Sequence, residues 1–154
     1  MAPRTSRSLR VIVPVLLALL AVQFEFGMTV NLAGPPSLAP LAFSLSRVSA
    51  ALSQAGSLAV THALLGGLLV VLSLVSLCIS LVSGERSLQF FGSLAFMTTV
   101  FAAFTGLLFV LSGFQNDGES HGMATNFILA FSFYFVELYF LKPAGGPRGQ
   151  NTRR

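Results

Sequence analysis

The stretch SLAVTHALLGGLLVVLSLVSLCISLV, from Ser57 to Val82, decides the fold class of this sequence. It contains no Asp, Glu, Lys or Arg, and a helix of about 20 residues already covers the hydrocarbon core of a bilayer. Three further stretches share this character, about Val11 to Val30, Leu88 to Leu111 and His121 to Leu141. Since 54% of the 154 residues are hydrophobic and 9% are charged, a water-soluble fold of this size could not bury the apolar surface.

The sequence therefore predicts an all-α integral membrane protein, a multi-pass bundle of four transmembrane helices in the cell membrane with the lipid bilayer as its immediate partner. Residues 1–142 form this transmembrane domain. The remaining residues 143–154, PAGGPRGQNTRR, have too little apolar content to pack and are predicted to be a disordered tail. We interpret the first span as a retained helix rather than a cleaved signal, because its apolar run is long and no A-x-A site follows it.

The basic residues predict the orientation of the bundle. All of them except Arg47 fall at the two termini or in the turn over residues 84–87. By the positive-inside rule, both termini and this turn are cytoplasmic, and Arg47, Asp117 and Glu119 lie outside. The same bias explains the sequence pI of about 10.2, so no nucleic-acid partner is predicted.

The connection between the first two spans predicts an amphipathic helix on the outer surface. Three prolines interrupt the chain at its start, and apolar residues then recur at steps of four, three and four. The stripe consists of Leu41, Leu45, Val48 and Leu52, and the opposite face carries Ser46, Arg47 and Ser53. A helix of this kind lies in the membrane interface.

Two histidines stand out because an ionisable ring in a membrane span is costly unless it is bound. His62 opens the second span in THALLGG, and His121 opens the fourth in SHGMA, each with a hydroxyl residue before it and small residues after it. Both rings lie about 31 Å from the opposite boundary of their spans, at roughly 1.5 Å per residue. The two helical hairpins thus look like a weak parallel repeat that places the histidines across the bundle axis.

Haem iron is the partner that this pair predicts, because it accepts axial imidazoles from opposite faces and its porphyrin fits an apolar slot in a bundle. We therefore predict a haem b site with His62 and His121 as the metal ligands. Gly66 would leave room for the macrocycle, and Arg47 would contact the propionates. A zinc site is the weaker alternative, since it needs further ligands, and the nearby candidates are Glu25, Asp117 and Glu119.

These features resemble one half of heme A synthase, a family built from two four-helix halves, with small archaeal versions of a single half. The resemblance covers about Val11 to Leu141 and includes the HALLGGL start at His62. It implies His62 and His121 as haem ligands of the second and fourth spans. The family has a glutamate three residues before the first of these histidines, and many members have an outer cysteine pair. Here Ala59 occupies the glutamate position and Cys78 is the single cysteine, so the resemblance implies a haem-binding bundle rather than heme A synthesis.

Two function classes stay open. In the first, the protein binds haem b near the outer face and transfers electrons or senses haem or oxygen, with a quinol or a redox protein as partner. In the second, it is a cofactor-free accessory or scaffolding subunit of a larger membrane complex. A homo-oligomer is compatible with either class. No nucleophile, base and orienting group converge in the spans, so an enzyme is not predicted. Glu137, in the inner half of the fourth span, is expected to be protonated or paired across helices.

Overall fold

The computed structural model describes residues 3–33, 38, 40 and 43–141. Within them the regular structure is entirely helical: α1 Pro3–Ala33, α2 Leu45–Gln54, α3 Ser57–Val82, α4 Arg86–Leu111 and α5 Asp117–Phe140. Helices α1 (over Arg7–Leu32), α3, α4 and α5 are long and apolar enough to cross a membrane. The predicted all-helical fold with four helices of membrane-spanning length is confirmed. Residues 143–154 and Leu41 lie outside the described residues.

The boundaries differ from the predicted ones at three helices, and α4 begins at Arg86 rather than at Leu88. Helix α1 is longer than the predicted Val11–Val30 at both ends, and α5 begins at Asp117 rather than at His121. The earlier start of α5 has a local cause, because the Asn116 side chain accepts a hydrogen bond from the Gly118 N–H at 3.0 Å and caps the helix. His121 consequently lies in the second turn of α5 rather than at its first residue.

The four long helices form a ring in the order α1, α3, α4, α5. Helix α1 packs on α3 and α5, and α4 packs on the same two helices. Within the described residues, the diagonal pairs α1/α4 and α3/α5 have no Cα atoms within 8 Å of each other. Successive long helices are therefore antiparallel neighbours, as in an up-and-down bundle.

The connections define the two ends of the bundle. At the end that we call the α3–α4 end, residues 83–85 join the helices through Gly84, whose φ of 75° favours glycine. At the opposite α4–α5 end, the Leu38 N–H donates to the Gly113 carbonyl at 3.1 Å, and the Gln115 side chain donates to the Leu38 carbonyl at 2.6 Å. These two bonds tie the chain between α1 and α2 to the connection between α4 and α5.

The packed core occupies the half of the bundle near the α3–α4 end. The buried residues of α1 are Leu9, Val13, Leu16 and Leu20. No described residue of α1 beyond Leu20 is buried. Large apolar side chains elsewhere face outward, for example Leu64 at 71% and Phe135 at 61% exposure, which suits a surface covered by lipid. The other half of the bundle, near the α4–α5 end, contains a cavity.

Candidate binding cavity

A cavity of about 550 Å³ lies in the half of the bundle near the α4–α5 end. All five helices contribute to its walls, and most of the lining side chains are apolar. Its volume falls in the range of about 300–1,000 Å³ that is typical of small-molecule sites. The polar and small residues of its wall include Gln23 and Gly27 of α1, His62 and Gly66 of α3, Thr99 of α4 and His121 of α5.

His62 is held against α1 by two contacts. The Gln23 side-chain amide lies 3.3 Å from the His62 Nε2 atom and donates to the His62 carbonyl oxygen at 3.1 Å. The Cε1 atom of the ring faces Gly27 so closely that a Cβ at that position would lie 2.9 Å from it. The glycine therefore lets the imidazole approach the α1 backbone, and the amide fixes its rotation.

Two buried polar atoms of this pair make no hydrogen bond, the His62 Nδ1 and the Gln23 Oε1. Buried polar groups normally have a partner, because leaving one without costs about 1–3 kcal/mol. Both belong to residues that line the cavity. This pair is accordingly a part of the cavity wall with unused hydrogen-bonding capacity.

His121 is exposed, and its ring is oriented by its own helix. The His121 Nδ1 atom lies 2.8 Å from the Asp117 carbonyl oxygen, which accepts the Nδ1–H. This bond selects the tautomer in which Nε2 carries the lone pair, the form in which histidine binds metals. His121 is thus prepared to act as a ligand through Nε2.

The structure brings three of the four sequence-predicted site residues to one place. His62, Gly66 and His121 all line the cavity, and the two histidines come from α3 and α5, which are diagonal in the ring. Arg47 is exposed on α2 and does not line the cavity, to which α2 contributes Val48 and Leu52. Its predicted contact with haem propionates remains a prediction.

Gln23 and Gly27 are the site residues that the sequence reasoning missed. Glu25, one of the zinc candidates, is exposed, and Gln23 rather than Glu25 contacts the His62 ring. A signal for Gln23 existed, since it is an amide inside an apolar span. No signal marked Gly27, because its importance comes only from the ring packed against it.

Among the residues that the structure describes, no group of three or more His, Cys, Asp and Glu is placed to hold a metal ion. Zinc sites in proteins use three or four such ligands. The zinc alternative therefore has no support in this part of the chain. An iron held mainly by a porphyrin needs only the two axial imidazoles.

No family model matches the chain, and no curated protein or solved structure shows significant similarity to it. The resemblance to heme A synthase thus depends on the sequence features alone.

Proposed function

We propose that this chain is a membrane protein that binds haem b in the cavity, with His62 and His121 as axial ligands, and that it serves electron transfer or the sensing of haem or oxygen. The observation that carries the proposal is the pair of imidazoles from the diagonal helices α3 and α5 on the walls of one apolar cavity. Bis-histidine ligation would need two imidazoles from different sides of the haem, and diagonal helices of a bundle can provide them.

The residues present fit this group, with one adjustment. His121 offers Nε2 in the required tautomer. At His62 the amide of Gln23 faces Nε2 at 3.3 Å, so Gln23 must turn aside before this atom can bind iron. Gly66 lies beside the same amide, where a Cβ would come within 3.2 Å of the Gln23 amide nitrogen. Bound haem supplies one-electron redox chemistry, and the protein holds and orients it.

The location of the site follows from the proposed orientation. With both termini and the α3–α4 turn in the cytoplasm, the cavity would lie in the outer half of the bundle, and α2 would lie on the outer side beside it. Arg47 on α2 would then meet the propionates at that surface. A quinol or a redox protein on the same side is the partner that such a site would serve.

The direct experiment is the absorption spectrum of protein purified with haem supplied. We expect a Soret band and sharp reduced α and β bands of six-coordinate low-spin haem b. His62→Ala and His121→Ala should each give a high-spin spectrum or lose haem, and the double variant should bind none. Thr61→Ala is the matched control, because Thr61 precedes His62, is exposed and bonds only its own helix at Ser57.

Two results would contradict the proposal. A colourless preparation under these conditions leaves the cofactor-free subunit as the better description. A spectrum unchanged in one of the two single variants shows that this histidine is not an axial ligand.

A further inference from the structure

A second polar feature lies in the packed half of the bundle and meets the cavity wall at Thr99. It is a cluster of buried hydroxyl groups around one carboxyl group, which we call the buried polar cluster. Its members are Ser73, Ser76 and Ser80 of α3, Thr99 of α4, and Tyr134 and Glu137 of α5. Glu137 has 0% and Tyr134 1% of its surface exposed, although both belong to a helix of membrane-spanning length.

Glu137 is held by one short bond. Ser80 Oγ lies 2.6 Å from the Glu137 Oε1 atom and 3.0 Å from the Ser76 carbonyl oxygen. One hydroxyl hydrogen can point straight at only one of these two oxygens. A protonated Glu137 satisfies both distances, because its O–H donates to Ser80 Oγ and the serine hydrogen then goes to the Ser76 carbonyl.

The burial of the Glu137 side chain also favours its protonated form. An ionised carboxylate without exposure needs a cation or several donors to offset its desolvation. The other oxygen of Glu137, Oε2, has no partner. On α1, which packs on α5, Arg10 has a buried Nε that also makes no hydrogen bond, so these two atoms do not pair.

Three buried polar atoms of the cluster make no hydrogen bond of normal geometry: Glu137 Oε2, Ser76 Oγ and the Tyr134 hydroxyl. Glu137 and Tyr134 are three residues apart on α5, and Ser76 precedes Ser80, the partner of Glu137, by one turn of α3. The Tyr134 hydroxyl also lies beside the hydroxyl groups of Thr99 and Ser73. Buried water is found where about three such atoms converge.

Thr99 links this cluster to the cavity, since it also lines the cavity wall. Ala130 of α5 lines the cavity as well, and Glu137 lies about 10 Å further along that helix at 1.5 Å per residue. Polar groups therefore continue from the cavity floor at Thr99 through Tyr134 to the carboxyl group near the α3–α4 end.

We propose that Glu137 is a protonated carboxylic acid and that it shares internal water with Ser76 and Tyr134, which makes the buried polar cluster a proton-holding site that reaches the cavity floor at Thr99. A proton held there is available to a ligand whose charge changes in the cavity. The proposal does not require haem, because every group in it belongs to this chain.

Infrared spectroscopy of the reconstituted protein without added haem tests the proposal. We expect the carbonyl band of a protonated acid, shifted by ¹³C-glutamate labelling of the unmutated protein, absent in Glu137→Gln and retained in Glu25→Gln, whose residue is exposed. Tyr134→Phe and Ser76→Ala should each shift this band, because each removes one partner of the shared water. The control substitutions Tyr139→Phe and Ser132→Ala change exposed residues of α5, the helix of Glu137. They should leave the frequency of the acid band unchanged.

Other results of the same measurements would overturn the proposal. Loss of carboxylate bands rather than an acid band in Glu137→Gln, or the absence of a label-sensitive acid band, would show an ionised Glu137 and overturn the proposal. An acid band that neither Tyr134→Phe nor Ser76→Ala moves would overturn the shared water. None of these results depends on the spectrum that tests haem binding.

Discussion

At the scale of single residues, the contact between Gly27 and His62 determines where the imidazole sits. A Cβ at Gly27 would lie 2.9 Å from the His62 Cε1 atom, closer than carbon atoms pack. We expect Gly27→Ala to push the ring from α1 and to weaken haem binding or change its spin state, measured by haem titration and absorption.

Gly67→Ala is the matched control for this substitution. Gly67 also lines the cavity, but a Cβ there meets no atom within 4 Å. We expect it to bind haem as the unmutated protein does. Equal effects of the two substitutions would show that the position of the His62 ring does not matter for binding.

The same contact shows what the sequence could predict at this scale. His62, His121 and Gly66 stood out because a titratable ring and adjacent small residues are unusual in an apolar span. Gln23 and Gly27 depend instead on how α1 and α3 slide and rotate against each other. That register is decided by side-chain packing between distant segments, which no local pattern records.

At the scale of helices, small and hydroxyl residues decide which faces meet. Gly92 of α4 lies over the Ser80–Glu137 pair, where a Cβ would come within 3.0 Å of Ser80 Oγ and 3.2 Å of Glu137 Oε1. Helices in membranes associate through such small residues, because lipid offers no hydrophobic driving force between them. The spans themselves were predictable from length and composition. The buried faces of the spans were not predictable, because each span carries apolar residues on all of its faces.

We expect Gly92→Ala to lower the free energy of unfolding by about 1–3 kcal/mol, the usual cost of overpacking, measured by thermal unfolding in detergent. The control is Gly106→Ala in the same helix, where the added Cβ would meet the Met123 sulfur at 3.1 Å. A methionine side chain can move away, so the loss should be smaller. Comparable losses in both variants would argue against tight packing at Gly92.

At the scale of the whole molecule, the packed core and the cavity occupy different halves of the bundle. The leucine-rich stripe of α1 between Leu9 and Leu20 fills the half of the bundle near the α3–α4 end, and the other half is open enough to hold the cavity. The histidines lie in the open half, so their substitution removes few core contacts. We therefore expect loss of haem from His62→Ala and His121→Ala without loss of the folded bundle.

The orientation of the molecule determines which side of the membrane the cavity serves. Asn116 and Glu85 are exposed and lie at opposite ends of the bundle, before α5 and α4, so cysteines placed there in a Cys78→Ser background report the two sides. Since the basic residues other than Arg47 lie at the termini and the α3–α4 turn, we expect Asn116→Cys to react with a membrane-impermeant thiol reagent on intact cells. Glu85→Cys should react only after permeabilisation. The reverse pattern would place the cavity on the cytoplasmic side, where Arg47 and any redox partner would lie as well.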